Sequence, residues 1–221
     1  MPQFAVASFT GTQFAELASQ DANFSKQSGY TQDLILGAGG AYVISNTFAG
    51  PGCYQHSGSP INANYTVAID IAKLSGNTGN NRMGVCGRMA SGADTMYLAL
   101  YSHDLTNVRL IRVVSGSSTT LGTHGVTLTS TVRRMLLRMA GDQISVELDG
   151  TPVIGPVTDA GITAAGKAGI YALETRQSGV ADAGSIDNFS ADDIGGSAAA
   201  IGAGLTSPLL LQSRLRRGLV R

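Results

Sequence analysis

The chain has 221 residues, of which 43% are hydrophobic and 14% are charged, so it is long and apolar enough to bury one large core. The formal net charge is zero, and aromatic residues make up 6% of the chain with no tryptophan, which weighs against a strong sugar site built on aromatic platforms. No apolar run approaches the ~20 residues of a membrane span, and the opening Met1-Pro-Gln-Phe4 lacks the basic and apolar regions of a signal peptide.

The first third of the sequence predicts short strands joined by polar loops. Residues 4–10 alternate in character and predict a first strand, which Gly11 ends. Leu34–Leu36 and Ala41–Ile44 flank a run of glycines and predict a hairpin. Residues 47–64 are rich in Gly, Pro, Ser and Asn, and they predict the largest surface loop before the main sandwich.

Short apolar runs of alternating character then follow one another, each closed by Gly, Asp, Asn or Ser, which is typical of an antiparallel sandwich. Residues 97–101 are apolar on both sides, which predicts a central strand. In residues 134–139 the arginines decide the register, because burying unpaired guanidinium groups is costly, so Met135, Leu137 and Met139 are predicted to face inward. The other predicted strands are 65–71, 83–89, 108–114, 121–124, 144–148, 151–154, 167–173 and 185–191.

The residues of one predicted turn support the assignment of antiparallel strands on either side of it. Asp149–Gly150 is a strong hairpin signal, and Pro152 places the return strand at an edge or a strand start, since proline cannot donate to a ladder. The sequence therefore predicts an all-β fold, an antiparallel two-sheet β-sandwich, over residues 1–193.

The composition changes beyond Asp193. Residues 194–204 form a Gly/Ala-rich linker, and residues 205–221 combine leucines with four of the fifteen basic residues of the chain. Two interpretations stay open: a disordered terminus, or a docking peptide, since each leucine gains about 1.5–3 kcal/mol when it is buried. The candidate docking residues are Leu209, Leu210, Leu211, Arg214, Leu215, Arg216, Arg217 and Leu219.

Few side chains suggest metal chemistry. Cys53 and Cys86 are too few for a cysteine-based zinc site, and we predict free thiols rather than a bridge. His56, His103 and His124 lie far apart in polar stretches, so they are predicted to be surface residues. No metal ligand set and no cofactor is predicted.

One pair of acidic residues and one pair of arginines could suggest a catalytic or a nucleic-acid site, but ordinary structural positions explain both pairs. Retaining glycosidases need two carboxyl groups about 5–5.5 Å apart, and Glu147 with Asp149 is the nearest candidate pair. Asp149 belongs to a turn and Glu147 to an exposed strand face, so we predict no catalysis. Arg133 and Arg134 point to opposite faces of one strand, which does not favour a nucleic-acid patch.

Tyrosines are the candidate glycan contacts, since each offers a flat apolar ring with a polar tip. Tyr30, Tyr42 and Tyr54 are predicted to line a concave face. Tyr97 and Tyr101 are predicted to pack in the core instead, because their strand is apolar on both sides.

Eight motifs follow one another in a fixed order: Gly84–Arg88, Tyr97–Leu100, Val108–Arg112, Leu136–Gly141, Ile144–Gly150, Thr158–Asp159, Gly166–Tyr171 and Asp187–Phe189. With Ser8–Gly11 as a first strand, this order resembles the concanavalin-A-like, laminin-G-like jelly roll over residues 5–192. That fold is found in carbohydrate-binding modules and bacteriophage virion proteins. The resemblance implies two packed sheets, one concave, without fixing an activity. At family level it also implies calcium through loop carboxylates such as Asp94, Asp104 or Asp182, although no dense acidic loop is present.

The segments Leu205–Leu211 and Arg214–Arg221 are similar to the C termini of phage structural proteins. On that likeness, the first hypothesis is a non-enzymatic bacteriophage virion protein, displayed on capsid or tail and held by intersubunit contacts and the C-terminal tail. It would be made in the host cytoplasm, and its partners would be other virion proteins and copies of itself. The alternative is a lectin-like, carbohydrate-binding module for host-surface glycans. Neither hypothesis involves a specific nucleic acid.

Overall fold

The computed structural model describes residues 2–45, 50–73, 81–173 and 184–195, and these are almost entirely β-structure. Within these ranges no helix is long and apolar enough to cross a membrane. The elements in chain order are β1 (Gln3–Ala7), α1 (Leu17–Gln20), β2 (Phe24–Lys26), β3 (Leu34–Leu36), a 3-10 turn (Ala38–Gly40), β4 (Val43–Ser45), β5 (Pro51–His56), β6 (Tyr65–Lys73), β7 (Arg82–Met89), β8 (Met96–Ser102), β9 (Asn107–Val114), β10 (Ser117–Gly125), β11 (Arg133–Ala140), β12 (Gln143–Leu148), β13 (Thr151–Thr158), β14 (Lys167–Leu173) and β15 (Gly184–Asp193).

Two antiparallel sheets pack face to face. In the described part of the chain, the eight-stranded sheet has the order β13-β12-β11-β6-β15-β4-β3, and β1 also pairs with β15. The seven-stranded sheet has the order β10-β9-β8-β7-β14-β5-β2. This arrangement confirms the predicted antiparallel β-sandwich, and the core lies between the two sheets.

The register of β11 follows the alternation that the arginines dictate. Met135, Leu137 and Met139 are fully buried in the core, as predicted. Arg134 points away from the core and its Nη1 lies 3.0 Å from Asp70 Oδ1, so its charge is paired at the partly exposed outer face. A one-residue slip would bury this guanidinium group, which is why the charged positions fix the register.

Strand β8 is buried on both faces, which confirms the prediction of a central strand. Tyr97 and Tyr101 point into the core, and the Tyr97 hydroxyl donates to Asp159 Oδ1 at 2.6 Å. Leu98 and Leu100 belong to a separate apolar cluster on the opposite face. Burying both faces of one strand therefore ties the core to the outer surface of the seven-stranded sheet.

The predicted hairpin at Asp149–Gly150 is confirmed. Both residues have positive φ angles, +50° and +76°, as a two-residue type I′ turn requires. The turn joins β12 to β13, and β13 lies at the edge of the eight-stranded sheet. Pro152 therefore stands on an edge strand, where its missing N–H group is tolerated.

One end of the sandwich is held by a buried cation. The side chain of Arg88 donates to three backbone carbonyls: Nε and Nη2 to Ala63 O (3.1 and 2.9 Å), Nη1 to Ile162 O (2.6 Å) and Nη2 to Gly141 O (2.6 Å). None of the ion pairs among the described residues involves it, so carbonyl dipoles stabilise its charge. Three separate segments are thereby fixed against one side chain.

Some predicted boundaries are wrong. The predicted surface loop 47–64 contains β5, which lies between β14 and β2 and buries Tyr54. Its glycine suggested a loop, yet Gly52 is needed for packing, because a Cβ there would lie 2.5 Å from Leu34 Cδ2. The strand predicted from residue 121 begins at Ser117, and Ile194, assigned to the linker, is buried and its N–H donates to Asn64 O at 3.1 Å.

The register of β11 makes a testable prediction through two adjacent leucines. Leu137→Ala should lower the free energy of unfolding by about 2–5 kcal/mol, because it leaves a cavity in the core. Leu136→Ala, the matched control on the outer face of the same strand, should lower it by about 1 kcal/mol or less. Chemical denaturation measures both, and equal losses would contradict the register.

Candidate functional site

A groove of about 240 Å³ lies on the outer face of the seven-stranded sheet. Ligand sites usually combine an apolar surface with a few polar groups at fixed positions, and this groove has that composition. We call Leu98, Leu100, Ile111 and Val113 its apolar floor. Polar residues stand at its two ends.

Strands β8 and β9 provide the apolar floor through their pairing. Leu98 is opposite Ile111 in the antiparallel register, and Gly84 on β7 is opposite Leu100. A Cβ at Gly84 would lie 3.0 Å from Leu98 Cδ1 and 2.4 Å from Ala99 O. Glycine at this position therefore keeps the floor flat between two leucines.

The acidic end of the groove consists of Tyr30 and Asp94. The Tyr30 hydroxyl donates to Asp94 Oδ1 at 3.0 Å. Burial raises the pKa of this hydroxyl well above its usual value, and the charge of Asp94 raises it further, so Tyr30 remains a donor. Asp94 is half-buried and stands beside the start of β8.

Two hydrogen-bonded contacts place the acidic end. Gln27 is buried and its Nε2 donates to Ala90 O and Ala93 O, at 2.8 and 2.6 Å, so the segment that carries Tyr30 is tied to the turn that carries Asp94. The Gly116 N–H donates to Asp94 O at 2.9 Å, which fixes the same turn to the β9–β10 hairpin.

The basic end of the groove consists of Arg82 and Arg109. Arg82 on β7 is opposite Ser102 on β8, and Arg109 on β9 is opposite Leu100, so both arginines stand beside the last residues of β8. Arg109 Nη2 donates to Ser102 Oγ at 2.9 Å. Burial lowers the pKa of Arg109, and the nearby charge of Arg82 lowers it further. Arginine stays charged at neutral pH despite such shifts.

Two free cysteines lie beside the floor, as predicted. Cys53 and Cys86 are fully buried, with their Sγ atoms 3.8 Å apart. They stand on β5 and β7 with β14 between them, so their Cα atoms are about 9–10 Å apart by strand spacing. Disulfides need Cα atoms closer than about 7 Å, so this pair packs as two thiols.

The three predicted glycan-contact tyrosines have different environments. Tyr30 lines the groove. Tyr42 is half-buried and does not line it. The prediction for Tyr54 is wrong, because its ring is fully buried in the core and its hydroxyl donates to Glu16 Oε1 at 2.7 Å. Tyr97 and Tyr101 pack in the core as predicted.

Sequence reasoning missed Arg82, Arg109 and Tyr171 as groove residues. Each was included in a predicted strand or lay next to one, but nothing in one strand shows which residues of its neighbours share its face. Pairing across β7, β8, β9 and β14 brings the three together, and that pairing is not encoded in any single segment.

Other candidate residues stand away from the groove. Glu147 lies on β12 of the eight-stranded sheet, and Asp149 forms an ion pair with Arg133. Within the described ranges, no group of three or more His, Cys, Asp or Glu side chains is placed to hold a metal ion. Asp182 and the predicted docking residues of the C-terminal tail, at positions 209–211, 214–217 and 219, lie outside the described residues.

The prediction that all three histidines are surface residues is wrong for His56. Its ring is 6% exposed and stacks on Phe189, with centroids 5.6 Å apart, and Phe24 meets it edge-on at 5.1 Å. His56 Nδ1 accepts a hydrogen bond from the Gly58 N–H at 2.9 Å. His103 is half-buried, and His124 is exposed on the edge strand β10.

The buried histidine predicts a pH dependence of stability. Burial lowers the pKa of His56, so the unfolded chain takes up a proton more readily than the folded one. Stability should therefore fall as the pH falls below about 6.5, the ordinary histidine pKa. His56→Phe, which keeps the aromatic packing, should remove much of this loss in denaturation measured from neutral to mildly acidic pH. His124→Gln is the control and should keep it, whereas equal profiles for wild type and His56→Phe would contradict the assignment.

No protein-family model and no curated protein sequence matches this chain. Solved structures do match. A carbohydrate-binding module, CBM66 from Bacillus subtilis, is 17% identical and aligns with a TM-score of 0.60 over 77% of this chain and 96% of its own. A Bacillus subtilis protein of unknown function with a galectin-like fold is 9% identical, with a TM-score of 0.56 over 86% and 98%. The exoplasmic/lumenal domain of VIP36, in a Ca²⁺/Man-bound form, is 9% identical, with a TM-score of 0.58 over 78% and 83%. These likenesses establish the concanavalin-A-like jelly-roll fold.

Proposed function

We propose that the outer groove of the seven-stranded sheet binds a glycan and that the chain is a carbohydrate-binding module without catalytic activity. The observation that carries this proposal is the apolar floor enclosed between hydrogen-bonding groups at both ends. Sugar rings have apolar faces and hydroxyl edges, so they need this combination of surfaces. The fold likeness to a module named for carbohydrate binding supports the same function.

Two tyrosines provide the aromatic surface of the groove. Tyr30 and Tyr171 meet edge-on, with ring centroids 6.2 Å apart and planes at 90°. Tyr171 stands on β14 beside the floor, and burial raises its pKa to about 12. The pair is rigid, because Tyr30 is also held by Asp94, so a ligand would lose little entropy in ordering it.

The charged groups of the groove complement sugar hydroxyls. Asp94 is a hydrogen-bond acceptor and suits hydroxyl donors at one end of the groove. Arg82 and Arg109 are donors and suit oxygen acceptors at the other end. The distribution gives the ligand a preferred direction along β8.

Binding is better supported than hydrolysis. Glycosidases place two carboxyl groups about 5–5.5 Å or about 6.5–9.5 Å apart across the scissile bond. Among the described residues that line the groove, Asp94 is the one carboxylate. Asp94 accepts a hydrogen bond from Tyr30. Since Asp94 has no second carboxyl group beside it in that lining, it lacks the acidic partner that general acid–base chemistry needs.

Comparing two tyrosines tests the proposal. A glycan array identifies bound sugars, and calorimetry then measures the affinity for the best one. Tyr30→Ala should weaken binding about tenfold or more, because it removes an aromatic contact surface at the acidic end. Tyr42→Ala, the control outside the groove, should leave the affinity unchanged. Binding that survives Tyr30→Ala but is lost on Tyr42→Ala, or no binding to any glycan, would contradict the proposal.

Display on a phage virion remains a second hypothesis, based on the sequence of the C-terminal tail. It is compatible with glycan binding, since a virion protein can carry a host-surface adhesin. Deleting residues 205–221 should abolish incorporation into particles while leaving glycan affinity unchanged, as measured by particle purification and calorimetry. Full incorporation of the shortened chain would contradict the docking function of the tail.

A further inference from the structure

We propose that the groove selects a carboxylated sugar, whose carboxylate is bound between Arg82 and Arg109. This inference rests on the proposed glycan-binding function and adds the chemical class of the ligand. It follows from the charges, the donors without acceptors and the strand register at the basic end of the groove.

The basic end carries more positive than negative charge. Arg82 Nη2 lies 3.4 Å from Asp104 Oδ2, a long contact between partly exposed side chains. Arg109 has no ion pair with any carboxylate among the described residues, and its Nη2 donates a 2.9 Å hydrogen bond to Ser102 Oγ. Of the two guanidinium groups, Arg82 therefore has one weakly held carboxylate and Arg109 has none among the described residues.

Both arginines also have donors without acceptors. In the described part of the chain, the Nε atoms of Arg82 and Arg109 are buried and meet no hydrogen-bond partner. A buried donor without a partner is costly, and such groups usually have a functional explanation. An incoming carboxylate supplies two acceptor oxygens with several lone pairs, which suits guanidinium groups better than a neutral hydroxyl does.

The strand register places the guanidinium groups of Arg82 and Arg109 near the same end of β8. Arg82 and Arg109 stand on the two strands that flank β8, next to Ser102 and Leu100 respectively. Arg109 reaches back along β8 to Ser102, the residue opposite Arg82, so the two side chains converge above the end of β8. A carboxylate there would offset their mutual repulsion, whereas a neutral sugar would leave it in place.

The remainder of the groove fits the remainder of such a sugar. The apolar floor suits the face of a pyranose ring, and Asp94 lies at the far end, next to the start of β8. Asp94 would repel a second carboxylate at that end. The groove is therefore suited to a ligand with its negative charge at one end and hydroxyl groups at the other.

Esterification of the ligand gives a test that needs no variant. Calorimetry would compare oligogalacturonate with its methyl ester, and sialyllactose with its methyl ester, since the members of each pair differ chiefly in carboxylate charge. We expect the acidic member of at least one pair to bind about tenfold or more tightly, and added salt to weaken that binding selectively. The pair that shows the difference identifies uronate or sialate as the source of the carboxylate.

Arginine variants then locate the effect. Arg109→Gln should abolish the preference for the acidic ligand, and Arg82→Gln, as a second variant on the other flanking strand, should do the same. Arg138→Gln, on the outer face of the eight-stranded sheet, is the matched control and should keep the preference. Thermal unfolding confirms that each variant folds.

Three results would overturn the inference, and they are distinguishable. Equal affinity for acidic and neutral members, with binding still lost on Tyr30→Ala, would overturn the carboxylate and leave the proposed glycan binding intact. No binding of acidic or neutral glycans would overturn both. A preference for the acidic ligand that persists in Arg109→Gln and Arg82→Gln would also contradict the assigned position of the carboxylate.

Discussion

Burial of β8 on both faces is the constraint on which the rest of this molecule depends. Its inward tyrosines fill the core, and their hydroxyl groups are hydrogen-bonded there. Tyr97 donates to Asp159, and the Tyr101 hydroxyl accepts from the Leu128 N–H. Its outward leucines form the floor of the groove. A change that shifts β8 by one residue would therefore exchange the core face and the groove face of this strand at once.

The groove is also fixed in shape by contacts within the protein. Floor residues are fixed by strand pairing, and the acidic end is fixed by buried hydrogen bonds from Gln27 and Gly116. Arg88 holds three segments at one end of the sandwich through their carbonyl groups. Preorganisation of this kind lowers the entropic cost of binding. The groove is thus built on strands and on turns that are fixed by hydrogen bonds.

The fold was predictable from the sequence where charges or turn residues within a short segment determine the local structure. The arginines of β11 determine its register, and the Asp149–Gly150 turn determines its hairpin, so both were predictable from short segments. Strand β5 was mistaken for a loop, because its segment is rich in Gly, Pro, Ser and Asn, although Gly52 among them allows the close approach of Leu34. Local composition cannot reveal which neighbour will pack against a position.

The groove was much less predictable than the fold. Tyr30 was identified as a surface tyrosine, but its partner Asp94 is 64 positions away in the chain, and Arg82 and Arg109 meet only because β7 and β9 flank β8. Tyr54 and His56 show the opposite error. Both were predicted to be accessible, whereas Tyr54 is buried in the core and His56 is buried against Phe24 and Phe189. Long-range strand order, which a single sequence does not specify, decides the site.

Methyl NMR during a glycan titration would show directly whether the ligand binds at the apolar floor, because it reports on the outer faces of both sheets in one experiment. The account predicts that the methyl signals of Leu98, Leu100, Ile111 and Val113 shift together on ligand binding. The signals of Leu136, on the outer face of the eight-stranded sheet, should stay in place. Shifts at Leu136 with an unchanged apolar floor would show that the ligand binds the opposite sheet, and would contradict the account.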